Sequence, residues 1–109
     1  MVNPAYTSQV DSQTGTLLGR REGDRFIRYA KDVIQADLNA AINVRIRGQD
    51  NQITRYMRSS QVEAILVGRT VQYLHSIGYS VSDALSFGWL LPKFKTKALK
   101  YESEYYPQG

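Results

Sequence analysis

The sequence predicts an α+β chain, with a β-hairpin or ribbon first, one well-marked helix in the middle and a pair of helices after it. Three observations point there. Residues 1–31 are rich in Ser, Thr, Gln and Gly and carry only short β-prone runs. Residues 36–48 show helical spacing with a start and a stop signal, and residues 59–91 hold two further apolar stripes at helical spacing. The composition suits a folded domain: of 109 residues, 42% are hydrophobic and 22% charged, close to the average of globular proteins.

In chain order, Ala5-Tyr6-Thr7-Ser8 and Arg25-Phe26-Ile27-Arg28-Tyr29 read as strands, with Gly15, Gly19 and Gly23 marking turns between them. Leu38, Ala41, Ile42, Arg45 and Ile46 follow the helical period. Asp37 lies in the first turn, where a carboxylate complements the helix dipole, and Gly48 follows the last periodic residue. Ala40, Ala41, Ile42 and Val44 read as core, the small alanines allowing close approach to a sheet. After a polar linker over 49–54, Ser59 or Ser60 can cap a second helix whose stripe is Val62, Ile65, Leu66, Tyr73, Leu74 and Ile77, ended by Gly78. A third, Ser82 to Leu91, is capped by Ser82, stops before Pro92 and packs on the second. Residues 93–109 read as a basic, weakly ordered tail.

Several classes of function are excluded or disfavoured. The chain has no cysteine and one histidine, so no thiolate zinc site can form and His75 has no ligand-spaced partner. It reads as a surface or half-buried histidine. No cationic leader followed by an apolar run opens the chain, and no window resembles a membrane span, so the expected location is cytoplasmic. The net charge of +4 favours a polyanionic partner without demanding one.

Arg20, Arg21, Arg25, Arg28 and Lys31 form a basic cluster offset by Glu22 and Asp24. Phosphate contact and a plain solvated hairpin face both fit it. The Lys93, Lys95, Lys97, Lys100 run suits a solvated tail better. Phe87, Trp89 and Phe94 could stack bases, although such residues more often close a small core.

Two runs, Val2-Asn3-Pro4-Ala5-Tyr6-Thr7-Ser8-Gln9 and Gln35-Ala36-Asp37-Leu38-Asn39-Ala40-Ala41-Ile42-Asn43-Val44, resemble the C-terminal region of TnpB proteins, the transposon-encoded RNA-guided nucleases, and of the related type V CRISPR effectors. The resemblance covers residues 2–48 and continues more weakly through Ile53–Met57 and Val62–Leu66. In that family the first run enters a zinc ribbon and the second is the third RuvC motif, within an RNase H-like domain. The ribbon's two Cys pairs would fall at Asp11 and Thr14 and near Ile27 and Ala30, so zinc cannot bind in the family's manner. The intervening text is similar to a subgroup that also lacks these cysteines.

The resemblance implies that 1–31 is a degenerate ribbon, 32–48 the third RuvC motif and 49–92 a C-terminal helical segment. It makes Asp37 one ligand of a two-metal site holding Mg²⁺ or Mn²⁺, in which ions about 3.5–4 Å apart activate water and stabilise the leaving oxygen. The other carboxylates would lie in RuvC segments upstream; Asp11, Asp24 and Asp32 have the wrong context to replace them. The implied partners are DNA and a guide RNA, in a bacterial, nucleoid-associated setting, and the chain by itself should be inactive. The alternatives are a non-catalytic nucleic-acid-binding or protein-docking module derived from a transposase, and a remnant that keeps the fold without function.

Overall fold

Gly23, at φ 62°, opens a two-residue turn that joins β1 (Gly19–Glu22) to β2 (Arg25–Arg28). A third strand, β3 (Val33–Gln35), adds to the far side of β2, giving an antiparallel sheet of order β1-β2-β3. The structure is a computed structural model that describes residues 1–107. The registers Arg20↔Ile27↔Val33 and Arg21↔Phe26↔Ile34 separate the two faces of the sheet. Phe26 is buried on one face, while Arg20, Glu22, Arg25 and the half-exposed Val33 occupy the other. Gly19 is required where it stands: its φ is 119°, and a Cβ there would lie 2.6 Å from the Ile27 carbonyl oxygen.

The expected strand over Ala5–Ser8 is a series of turns. Tyr6 sits at φ 63°, and Thr7, Gln9 and Val10 donate their backbone N–H groups to carbonyls three or four residues back. The strand signal there was local, and the segment's carbonyls are claimed instead by the helix that follows the sheet.

That helix, α1 (Ala36–Arg47), has the expected bounds and is capped by the Gln35 side chain, which accepts from the Leu38 N–H at 2.9 Å. Its orientation is the reverse of what its apolar stripe predicts. Asn39, Asn43 and Arg47 are buried, whereas Leu38 and Ile46 are half-exposed, and Ala41 and Val44 also face outward. The polar residues recur every four positions along one stripe. Asn39 donates to the Val10 carbonyl and accepts from the Ser12 N–H; Asn43 donates to the Thr7 and Val10 carbonyls; Arg47 donates to those of Asn3 and Ala5. A segment without regular secondary structure must find partners for its backbone groups, and this helix supplies them. Burial holds the Arg47 pKa below its ordinary value despite nearby Asp50.

Beyond α1, α2 (Ser59–Ser76) buries Val62, Leu66 and Leu74 of its expected stripe, keeps Ile65 and Tyr73 part-buried and leaves Ile77 exposed; Val71, outside that stripe, is buried instead, and the chain turns at Gly78 with φ 89°. Arg58 rather than a serine is the cap position, its N–H held by the Gln61 side chain. The short α3 (Val81–Ser86) is capped by Ser80, two residues before the expected cap, with Ser80 and Asp83 bonded reciprocally in a capping box, and it ends five residues before the expected Leu91. A 3-10 turn (Pro92–Phe94) then leads into α4 (Lys95–Tyr105).

The presence of α4 corrects the expectation of a weakly ordered tail over 93–109 and makes the helices after α1 three rather than two. Gln108 and Gly109, the end of that tail, lie outside the described residues. Phe94 and Ala98 are buried, and α4 lies so close to α2 that a Cβ on Gly68 would sit 2.9 Å from the Tyr101 ring. Val10, Leu17 and Leu18 share one core with α2, α3 and α4. Leu18 pairs with Leu90 in an isolated bridge, and Thr70 on α2 accepts from the Leu17 N–H. The N-terminal segment and the C-terminal helices therefore form one folding unit. Among the described residues, no helix is long and apolar enough to cross a membrane.

Candidate functional site

Asp37 projects from the first turn of α1 with 80% of its side chain exposed. Its contacts are loose: the Gln35 amide donates at 3.4 Å, and an Arg21 guanidinium nitrogen lies 3.7 Å away. Such an exposed pair is worth about 0–1 kcal/mol, so the carboxylate is available to other ligands. Among the described residues, no group of three or more His, Cys, Asp or Glu side chains converges to hold a metal ion. One carboxylate cannot fix two hard cations that each require several oxygen ligands, so a two-metal centre needs carboxylates beyond those gathered here.

The positions at which the resemblance places the ribbon's cysteines hold a buried ion pair. The Asp11 side chain is fully buried and accepts from Arg28 Nε at 2.8 Å and from the Gln13 N–H at 3.0 Å. Thr14 donates to its other oxygen at 3.3 Å. Arg28 also binds Asp32 at 2.9 Å and reaches Ser12. Burial by itself would lower the Arg28 pKa, but the hydrogen bonds to Asp32 and Asp11 outweigh it and hold the group above its ordinary value. Two tight turns, Asp11–Thr16 and Arg28–Asp32, are thus joined by charge: each has a backbone bond closing it, Asp11 N–H to Thr16 O and Arg28 N–H to Asp32 O.

This arrangement divides the basic cluster that the sequence presents as a unit. Arg28 is turned inward to Asp11. Arg21 shares the sheet face of Phe26 and lies near Asp37, and its Nε donates to the Gly23 carbonyl. Arg20 and Arg25 lie on the outer face, where Arg20 Nε bonds Glu22 at 2.6 Å. Lys31 is exposed in the turn after β2, at φ 75°.

The aromatic set divides as well. Phe94 is core, whereas Phe87 is 54% exposed and Trp89 half-buried beside it, ring centroids 4.9 Å apart. His75 is half-buried as expected, although it has a partner the sequence did not suggest: Glu102 Oε2 lies 2.7 Å from its Nε2, and the ring stacks on Tyr106. The lysine run belongs to the 3-10 turn and α4, with Lys97 paired to Glu63 and Lys93 over the Phe94 ring.

No protein-family model, curated protein or solved structure matches the chain.

Proposed function

We propose that this chain is the C-terminal portion of a TnpB-like, RNA-guided DNA endonuclease, in which Asp37 supplies one carboxylate to a RuvC-like two-metal site. The observation that carries the reading is the orientation of α1. A helix that turns its asparagines inward and leaves Leu38, Ala41 and Val44 outward on the side of an exposed Asp37 is suited to pack against a further apolar layer. In the proposed nuclease that layer is the RuvC sheet, formed by segments upstream that also carry the remaining carboxylates. Packing there would bring Asp37 into a drier, more acidic setting, where it and the upstream carboxylates would hold Mg²⁺ or Mn²⁺, which would supply activation of the attacking water. DNA would be selected by pairing with a guide RNA, the protein holding the heteroduplex through its backbone charge.

The chain alone should not nick DNA in Mg²⁺ or Mn²⁺. Combined with an upstream RuvC segment from its own locus and a guide RNA, it should support cleavage that Asp37→Ala abolishes. A locus without such a segment, or reconstituted cleavage indifferent to Asp37→Ala, overturns the proposal. So does reproducible nicking by the isolated chain.

A second reading, a non-catalytic docking or nucleic-acid-binding module, draws on the lack of a metal-ligand cluster among the described residues. It predicts that Asp37→Ala is silent in every assembly the chain enters.

A further inference from the structure

Two features that are far apart in the sequence meet across a groove. On one side stand Arg20, Ile27 and Val33 of the outer sheet face and Lys31 from the turn after β2; on the other stand Phe87 and Trp89, from the loop after α3. The groove has a volume of about 450 Å³, and among the described residues no acidic side chain lines it. We propose that it binds a short stretch of single-stranded nucleic acid, with one base stacked on Phe87 and the flanking phosphates held by Arg20 and Lys31.

The geometry favours this occupant on three counts. First, Phe87 is 54% exposed although Tyr79 and Trp89 pack beside it, with centroids at 6.0 and 4.9 Å. Neighbouring aromatic rings thus hold an open aromatic surface in place. Trp89 is itself fixed by Tyr29 and Tyr79, and its carbonyl accepts from the Gly19 N–H at 2.7 Å, which ties the aromatic wall to the basic sheet. The two walls therefore keep their spacing without a ligand.

Second, the cations that face the groove have donor capacity to spare. Arg20 spends only Nε on Glu22, and among the described residues Lys31 has no ion-pair partner. Arg28 is neutralised by Asp11 and Asp32, so the phosphate contacts fall to Arg20 and Lys31.

Third, the combination discriminates between polyanions. An acidic peptide without aromatic residues can use the charges but not the aromatic surface. A duplex keeps its bases stacked inside and likewise presents only phosphate. An unpaired base can stack, which contributes to binding with little dependence on base identity. This proposal does not rest on the nuclease reading: the groove needs no metal and does not include Asp37.

Trp89 is the sole tryptophan of the chain, so its fluorescence reports on the groove directly. Titration with ten-nucleotide oligothymidylate or oligouridylate should quench and shift that emission; the two probes separate a DNA site from an RNA site. A hairpin duplex and polyglutamate at equal charge should bind more weakly and leave the emission nearly unchanged. Phe87→Leu, which keeps apolar bulk without a π face, should weaken oligonucleotide binding by about 5- to 100-fold. Arg20→Gln with Lys31→Gln should make the log-log salt slope shallower by about 0.7 per lost contact. Asp37→Ala should change neither quantity, so a failure of the nuclease reading is distinguishable from a failure of this one. Unchanged melting curves establish that the variants fold. Equal quenching by duplex or polyglutamate overturns the proposal. It is also overturned if Phe87→Leu binds as tightly as the parent chain, or if no single-stranded probe perturbs Trp89.

Discussion

Replacing Asn39 by leucine makes α1 look more like an amphipathic helix and should nevertheless destabilise the fold. Asn39 is fully buried, donating to the Val10 carbonyl at 2.8 Å and accepting from the Ser12 N–H at 2.9 Å. In Asn39→Leu the Val10 carbonyl keeps its second donor, Asn43 at 2.7 Å, so that loss is about 1 kcal/mol. Ser12 N–H loses its acceptor, adding about 1–3 kcal/mol. Full burial of a leucine would return about 2 kcal/mol, but the surroundings here are backbone carbonyls, so only part of that is recovered. The net expectation is about 2 kcal/mol of destabilisation, equivalent to about 10 °C in the melting temperature of a domain this size. The adjacent Leu38→Asn, at a half-exposed position, should cost about 0.5 kcal/mol or less. Thermal and urea unfolding followed by circular dichroism measure both. If Asn39→Leu is stabilising while Leu38→Asn is strongly destabilising, the helix faces the other way and the account of α1 is wrong.

Breaking the Asp11–Arg28 pair at its buried end, with Asp11→Ala, should cost about 2–3 kcal/mol, because Arg28 Nε and the Gln13 N–H lose their acceptor while Arg28 keeps Asp32; denaturant melts check this, and a change under 1 kcal/mol would show that the pair is incidental. EDTA should leave the melting temperature of the parent chain unchanged and elemental analysis should find no stoichiometric zinc; metal-dependent melting would refute the idea that charge, not metal, joins the two turns. Acid should expose the Arg69–Asp50 pair. Its hydrogen bonds at 2.6 and 2.9 Å hold the Asp50 carboxyl below its ordinary value of 3.8. A depressed carboxyl stabilises the fold fully above that ordinary value and loses its contribution as pH falls through the lowered one. Asp50→Asn should therefore flatten the acid limb of a stability-versus-pH curve by about 1 kcal/mol, and an unchanged limb would refute the assignment. Gly68→Ala should cost about 1–3 kcal/mol by pushing Tyr101 from α2, visible in the same melts; a neutral result would mean that the ring moves freely.

The sequence carries the second hairpin strand and the bounds of α1 and α2 clearly, because these are decided by local chemistry, whereas β1, β3 and the end of α3 were not read from it. Gly23 with Asp24 marks the turn, and Gly78 the end of α2. The direction in which α1 faces was not legible. Its stripe of Leu38, Ile42 and Ile46 is apolar, and only the long-range need of the carbonyls over residues 3–10 for donors turns Asn39, Asn43 and Arg47 inward. The asparagine spacing of four was the available signal. The helix α4 was hidden by its lysines and tyrosines, since it buries little beyond Ala98. At the cap of α3, the capping-box spacing Ser80-x-x-Asp83 was the signal that the choice of Ser82 passed over. Asp37 stands exposed in the first turn as its position implies. The inward role of Arg28 depends on Asp11, a residue 17 positions away, and the meeting of Phe87 with Arg20 on a tertiary arrangement that no local pattern encodes.

The bridge between Leu18 and Leu90 also sets the order in which this protein can be made. Leu17 and Leu18 leave the ribosome long before Leu90, Phe94 and Ala98, the residues that complete their surroundings. At about 5–20 residues per second, the intervening stretch takes roughly 4–14 seconds to synthesise. For that interval the hairpin and its apolar base have no wall to close against, and closing so long a loop is itself slow. A nascent chain arrested before residue 90 should therefore remain sensitive to protease along its whole first third and attract chaperones, then become resistant abruptly once α4 has emerged.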